Sequence, residues 1–524
     1  MFQIQQGSIK METESNSLRN TKRIAKNTVV LYARSVVVML IALYTSRVVL
    51  SALGVSDYGL YNVVGGVVGL FAFLRSSMEK CTQRFLNFGM ATTPDKLTDI
   101  FRVSFTIHVA IAVATLLLAE TIGLWYLNTH VQIPDGRLFA ANCVYQSTVL
   151  GLVFTILTIP LSASIIAHER MGFFALVSIV DAFLKLGIAF LVVFSSFDHL
   201  IYYASLILCV QLINLVMYVV YCSRNFEEVS FKPLGERKLA KKMLSYVGWA
   251  LFGHSCIIAT NQGNILLVNQ FFGVIVNAAM AVASQVNSAV LSFTGNFQTA
   301  FNPQITKSYA AKDFVYLKSL VYGTTKISFF LLTTLSLPLM FNMEFILGIW
   351  LKEVPEYAAI FCILMLTSGI LQASTSPLNF CIMSSGDIKW FQITTGLVFL
   401  SDLFIVYALF SIGFPAIYVM IVKILIMIGV CIVRLVFANK IVSCINAISY
   451  LKEIVCPLLL STACSILFSF GINKFVHSPI MHCISIIAIA IATLFFAYMI
   501  GLSSGERELV KEHMSKTSKR LKFL

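Results

Sequence analysis

Charge is what this sequence has least of. Only 12% of its 524 residues are Asp, Glu, Lys or Arg, against roughly 25% in an ordinary soluble domain. A chain this large cannot solvate a water-facing surface with so few charges. Acid is scarcer still, at 24 carboxylates for 38 Lys and Arg. The twelve cysteines form no CxxC pair and the eight histidines no HExxH or HxH pair, so the common zinc and dithiol motifs are excluded. Cysteines such as Cys143, Cys209, Cys256, Cys362, Cys431 and Cys464 sit in apolar stretches and read as small lipid- or helix-facing residues. No GxxxxGK[ST] loop and no grouped Ser, His and Asp occur, which argues against ATP hydrolysis or triad chemistry; the chain is not expected to be an enzyme. The first 26 residues lack the apolar core of a cleaved leader, carrying Glu12, Glu14, Arg19, Lys22, Arg23 and Lys26 instead. They are expected to form a retained cytosolic tail.

What is present in abundance is apolar sequence. The hydrophobic fraction is 58% with 42 phenylalanines, and the mean hydropathy is +0.85. A membrane helix needs about 20 mostly apolar residues, and splitting the apolar runs at charge clusters and turn signals gives fourteen. They cover 28–53, 58–78, 102–127, 138–164, 172–195, 199–222, 244–270, 274–300, 318–342, 357–384, 389–411, 415–438, 453–473 and 479–502. The expectation is an all-α polytopic membrane protein of about 14 transmembrane helices.

Lys and Arg lie overwhelmingly in alternate loops. Placing those loops on one side collects 29 of them, with three, Arg137, Lys352 and Lys474, on the other. Positive loops stay cytosolic, so both termini are expected in the cytosol of a bacterial inner membrane. The net charge of +14 is thereby a topology signal and an attraction to anionic membrane lipids, with no nucleic-acid partner implied.

The chain also repeats weakly. Gly54 and Gly273, Asp95 and Asp313, and Pro160 and Pro377 are 219, 218 and 217 residues apart. Two pseudo-symmetric six-helix lobes follow: a tail at 1–26, an N-lobe at 27–222, a basic linker at 223–243, a C-lobe at 244–440, a helix pair at 441–502 and a basic tail at 503–524. Transporters with repeats of equal orientation bind cargo between their halves, and kinks at Pro160, Pro338 and Pro377 would let helices bend.

Six cations fall inside expected helices: Arg34, Arg47, Arg75, Lys185, Lys326 and Lys423. Each costs at least roughly 2.5–3.5 kcal/mol at mid-membrane, so it must snorkel, pair with an acid or line a wet cavity. Asp181, one turn before Lys185, and Asp402, in the helix before Lys423, are the candidate structural partners and also the candidate coupling acids. Arg34 and Arg47 have no acid at helical spacing. Cations outnumber intramembrane acids, which favours anionic cargo, since Arg meets phosphate as a planar fork and Lys as a point charge. The seventh and eighth helices are dense in amides and hydroxyls, among them Asn261, Asn264, Asn277, Ser284, Asn287 and Ser288. These read either as helix–helix hydrogen bonds or as a polar cavity wall for sugar hydroxyls.

The stretch LYTSRVVLSALGVSDYGLYNVVGGVVGLFAFL (43–74), followed by TQRFLNF (82–88), resembles polysaccharide-export flippases of the Wzx type, in the superfamily of the MATE exporters and the lipid II flippase MurJ. NQFFGVIVNAAMAVASQVN (269–287), NFQTAFNPQITKSYAAKD (296–313) and FILGIWLKEVPEY (345–357) look similar to segments of the same group. The resemblance implies a fourteen-helix, two-lobed carrier, usually a single chain, that turns over an undecaprenyl-diphosphate-linked oligosaccharide for O-antigen or capsule assembly. It also implies cavity cations near the diphosphate, for which Arg34, Arg47 and Arg75 are candidates. Glycosyltransferases and a polysaccharide polymerase would be its partners, and a proton or sodium gradient its energy source. The rival readings are a cation-coupled multidrug antiporter and a non-transporting scaffold for polysaccharide synthesis.

Overall fold

The computed structural model describes residues 2–69, 72–130, 133–232, 236–351 and 353–508, and only the backbone of 2–22, 25, 43, 55, 62, 66–69 and 72–77. Its helices, in order, are α1 (Phe2–Gly69), α2 (Ala72–Thr92), α3 (Leu97–Leu118), α4 (Leu124–His130), α5 (Leu138–Ala167), α6 (Met171–Val193), α7 (His199–Asn225), α8 (Arg237–Ala310), α9 (Phe314–Phe341), α10 (Met343–Trp350), α11 (Ala358–Ala373), α12 (Ser376–Ser385), α13 (Lys389–Ile412), α14 (Tyr418–Ile441), α15 (Ala447–Tyr450), α16 (Cys456–Asn473) and α17 (Pro479–Phe496). No strand occurs among the described residues, so the fold is all-α as expected.

Eleven helices are long and apolar enough to cross a membrane, or twelve if the bent pair α11 and α12 is one span. That count stops short of fourteen, and two features explain the gap. The 74-residue α8 counts once, although at 1.5 Å per residue it would run roughly 110 Å, several times the bilayer core. It is two helices joined at Gly273 (φ 78°, ψ −171°), as α1 is two joined at Gly54 (φ 75°, ψ 168°). In addition, residues 70–71, between α1 and α2, lie outside the described residues. The bend of 46° between α11 and α12 falls just before Pro377, one of the three expected kinks.

The Gly273 conformation lies in a region that only glycine occupies freely, at a cost of about 1–3 kcal/mol for other residues. No neighbouring atom lies within 4 Å of a Cβ built there. Gly273→Ala should therefore lower thermal stability through the backbone alone. Gly248→Ala, in an ordinary helical turn with equally open space, should leave it unchanged or raise it slightly. Thermal unfolding of the detergent-solubilised protein checks both.

The chain divides into two compact units: residues 1–254 with 299–311, and residues 255–298 with 312–524. Two of the three boundaries fall inside α8 and the third in the turn just after it.

In the first unit, Val49, Leu53, Tyr145, Val192 and Tyr203 centre one apolar cluster, and Phe101, Leu161, Tyr218 and Phe226 a second. Next to the Gly54 break, Arg137 donates to both Asp57 and Asp198. Asp198 also caps α7, its Oδ1 accepting from Leu200 N and Ile201 N at 3.1 Å each. Burial pushes the Asp198 carboxyl up, but the hydrogen bond from Arg137 and the two amides outweigh it, holding the pKa below the usual 3.8. A depressed carboxylate pKa adds stability above the unfolded value and forfeits it as pH falls through the folded one. Thermal stability should thus drop below about pH 4, and Asp198→Asn should flatten that acid limb of the profile.

In the second unit the polarity pattern runs inside out. Ser461, Ser465 and Ser469 repeat at one-turn spacing on α16 and are buried, while Leu459, Leu460, Leu467 and Phe470 are exposed. On α17, Ile480, Ile484, Ile487 and Ile491 form an exposed stripe and Ser485 is buried. Small hydroxyl residues inside and large apolar residues outside suit helices solvated by lipid; in water such stripes would aggregate.

Candidate functional site

The amide-rich segment of α8 builds a cavity of about 870 Å³ within the second unit. Asn261 and Gln262 come from the arm before Gly273. Asn277, Ser284, Gln285, Asn287 and Ser288 come from the arm after it, and Lys423 on α14 completes the polar lining. Asn261 and Ser284 are 12 and 11 residues from the break, about 17 Å along each helix, close to the middle of a 30 Å hydrocarbon core. Asn261, Ser284 and Ser288 are exposed there. Hydrocarbon cannot satisfy an amide or a hydroxyl, so the surface they share must be wet. Of the six residues read from sequence as a polar wall, Asn261, Asn277, Ser284, Asn287 and Ser288 line this cavity.

Asn264, the sixth, is buried and donates from Nδ2 to Asp402 Oδ2 on α13. Asp402 is 1% exposed, and its Oδ1 has no hydrogen-bond partner among the described residues. Lys423 does not pair with it: Lys423 Nζ donates to Asn261 Oδ1 at 3.4 Å. The cation and the acid that sequence proximity would have joined are thus each taken by an amide of α8. Among the residues lining the cavity, Lys423 is charged and none is acidic.

The other candidate cations are placed elsewhere. Lys326 is buried and ion-paired with Glu506 at 2.7 Å, from the segment after α17. Burial pushes the Glu506 carboxyl up, but its hydrogen bonds from Lys326 and Ser503 prevail and hold it below the usual range. Lys185 pairs with Asp181 at 2.8 Å, the i,i+4 contact implied by their spacing, and Asn214 Nδ2 donates to the same carboxylate at 2.7 Å. The Arg34 guanidinium lies 4.8 Å from the Phe174 ring centroid on α6, and its buried Nε has no partner among the described residues. Arg47 is exposed. Arg75 lies outside the residues whose side chains are described.

Three features escape the sequence reading. Arg84 and Arg434, expected in loops, are buried within α2 and α14. Arg84 sits over the rings of Phe85, Phe88 and Tyr246 at 4.7, 4.9 and 5.7 Å. Arg434 donates to Thr375 Oγ1 at 3.2 Å, beside the α11–α12 bend. A cavity of about 220 Å³ with no charged lining residue opens in the first unit, where Ser147, Thr148, Thr155 and Gln211 face Leu152, Ile207 and Leu208.

The third feature is Glu169, in the turn between α5 and α6. It is buried at a left-handed φ of 58°, and four groups converge on it. Arg23 Nε stands 2.6 Å from Oε2; Gln304 Nε2 and Lys307 Nζ reach Oε1 at 2.6 and 3.1 Å; Asn27 Nδ2 reaches the backbone oxygen at 3.5 Å. Lys307 also donates to Ala167 O at 2.7 Å. All belong to the first unit.

No protein-family profile and no curated sequence matches the chain. Solved structures do. A MATE transporter crystallised as a point mutant superposes with a TM-score of 0.69 at 12% identity, over 81% of this chain and 97% of that one. A MOP-superfamily transporter from Pyrococcus furiosus gives 0.64 at 12%, over 81% and 96%. The MATE transporter ClbM, in complex with Rb+, gives 0.61 at 12%, over 80% and 97%. Identities this low establish the fold and nothing finer: the chain has the fold of MATE transporters and is a multi-pass membrane protein.

Proposed function

We propose that this chain carries a lipid-linked oligosaccharide, joined to undecaprenyl through a diphosphate, across the bacterial inner membrane for assembly of surface polysaccharide. The observation that carries this reading is the composition of the second-unit cavity: amides and hydroxyls at mid-membrane depth, one lysine, and no carboxylate among its lining residues. Sugar hydroxyls both donate and accept, as do Asn, Gln and Ser. A diphosphate needs a cation, and Lys423 on a flexible stem meets it as a point charge. The isoprenoid tail stays in lipid while the carrier alternates access to the two sides, drawing on a proton or sodium gradient. Both termini face the cytosol, one chain is the working unit, and a polymerase and glycosyltransferases supply and consume the cargo.

The rival reading, export of small cations in exchange for an ion, has its own support. Asp402 is buried with one oxygen lacking a partner among the described residues, and the similar ClbM was solved with Rb+. The Pyrococcus protein's pocket of reversed polarity, which suggests a different function for it, is a reminder that one fold serves several cargoes. A deletion strain separates the readings. Flipping predicts that lipid-linked repeat units accumulate on the cytosolic leaflet and that surface glycan is lost. Repeat units already translocated in that strain, together with dye efflux abolished by Asp402→Asn, would overturn it.

A further inference from the structure

A second cavity, of about 280 Å³, lies in the first unit, where the end of α2, the 3₁₀ turn Pro94–Lys96 and the first turns of α8 meet. Its charge is one-sided. Arg84, Lys96, Lys238 and Lys242 line it, with Glu236 as the acid among its lining residues. Lys96 Nζ approaches Glu236 Oε2 at 3.8 Å, both side chains more than half exposed, a contact too weak to offset the rest. Lys238 and Lys242 stand one helical turn apart on one face of α8, an arrangement that disfavours the empty helix and favours a bound anion. Arg84 is held below them by its aromatic neighbours.

Apart from Thr93, the remaining lining is apolar. Phe88, Ile100 and Leu239 share the lining, an arrangement with no use for a free hydrated phosphate and well suited to the glycerol and first methylenes of an acyl chain. The segments that bound it, after α2 and before α8, belong to the positively charged loops expected on the cytosolic side, where the membrane leaflet is rich in anionic headgroups. We infer that this cavity binds the phosphate headgroup of an anionic membrane phospholipid, anchoring the start of α8 to the cytosolic leaflet. The site shares no residue with the amide-lined cavity, and the inference stands whatever the cargo.

The test is equilibrium binding of fluorescent phosphatidylglycerol and phosphatidylcholine to the purified full-length protein in a neutral detergent. Phosphatidylglycerol should bind at least about tenfold more tightly. Lys238→Gln with Lys242→Gln should cost roughly 10- to 30-fold, at about 1 kcal/mol per surface cation. Lys312→Gln with Lys440→Gln, the same change in charge at exposed lysines outside the cavity, should cost less than twofold. Equal losses in the two pairs would mean diffuse attraction and overturn the site. Displacement of phosphatidylglycerol by millimolar inorganic phosphate would make it a free-anion site, and displacement by polyprenyl diphosphate at lower concentration a cargo site. Either result contradicts the inference.

Discussion

Replacing Lys423 with glutamine should slow translocation of the lipid-linked oligosaccharide at least about thirtyfold without unfolding the protein. Truncating one partner of a desolvated, hydrogen-bonded charge pair costs roughly 2–5 kcal/mol, and each 1.4 kcal/mol is tenfold. Lys423 is half-buried among neutral amides with one weak hydrogen bond, to Asn261 at 3.4 Å. It is therefore held ready for an anion and contributes little to folding. Lys423→Arg should retain most of the rate, since the charge survives and only its geometry changes. Lys326→Gln is the contrasting variant: that lysine is already taken by Glu506, so its loss should loosen the segment after α17 and leave the cargo step intact. Rates in reconstituted vesicles, with helical content measured alongside, separate the outcomes. Unchanged translocation in Lys423→Gln would remove the cation from the mechanism.

The largest effect on stability should come from Glu169→Ala. The carboxylate is 1% exposed at its side chain and faces Arg23 and Lys307. Removing one member of such a pair strands the other charges, at about 3–5 kcal/mol. The expected result is a large loss of thermal stability in detergent, partly restored when Lys307→Gln is added, because that second change removes a stranded cation. Glu169→Gly should fall between, losing the carboxylate while relieving the left-handed backbone at φ 58°. An Ala variant as stable as the wild type would show that the cluster contributes nothing to holding the α5–α6 turn against α1 at Arg23 and Asn27 and against the last turns of α8.

Much of the fold was legible because lipid imposes a simple code. A 20-residue apolar run bounded by charge marks a helix, and α5, α7, α13 and α14 begin and end within about three residues of the runs read from sequence. The glycine breaks were readable too, since Gly54 and Gly273 stand in short turn-like segments between apolar runs, 219 residues apart. The amide wall was legible for the same solvation reason: seven Asn, Gln and Ser side chains cannot face hydrocarbon, and they line a cavity.

Pairing was not legible. Glu506 lies 180 residues beyond Lys326, and no periodicity links a tail carboxylate to a helix in the middle of the chain. Charge also misled the helix limits. Glu79, Lys80 and Arg84 looked like a loop, yet α2 continues to Thr92. Two of its polar groups find neighbours: Thr82 Oγ1 shares a hydrogen bond with Ser104 at 2.9 Å, and Arg84 lies over aromatic rings. Asp402 and Lys423 were the natural ion pair on paper; instead each hydrogen-bonds an amide of α8, Asp402 with Asn264 and Lys423 with Asn261.

The most direct test uses vesicles reconstituted with the purified protein and a fluorescent undecaprenyl-diphosphate oligosaccharide in one leaflet. The account predicts protein-dependent transfer to the other leaflet, lost with Lys423→Gln and kept with Asp402→Asn. Vesicles that leave this lipid in place, yet exchange an organic cation for protons or sodium through Asp402, would contradict it.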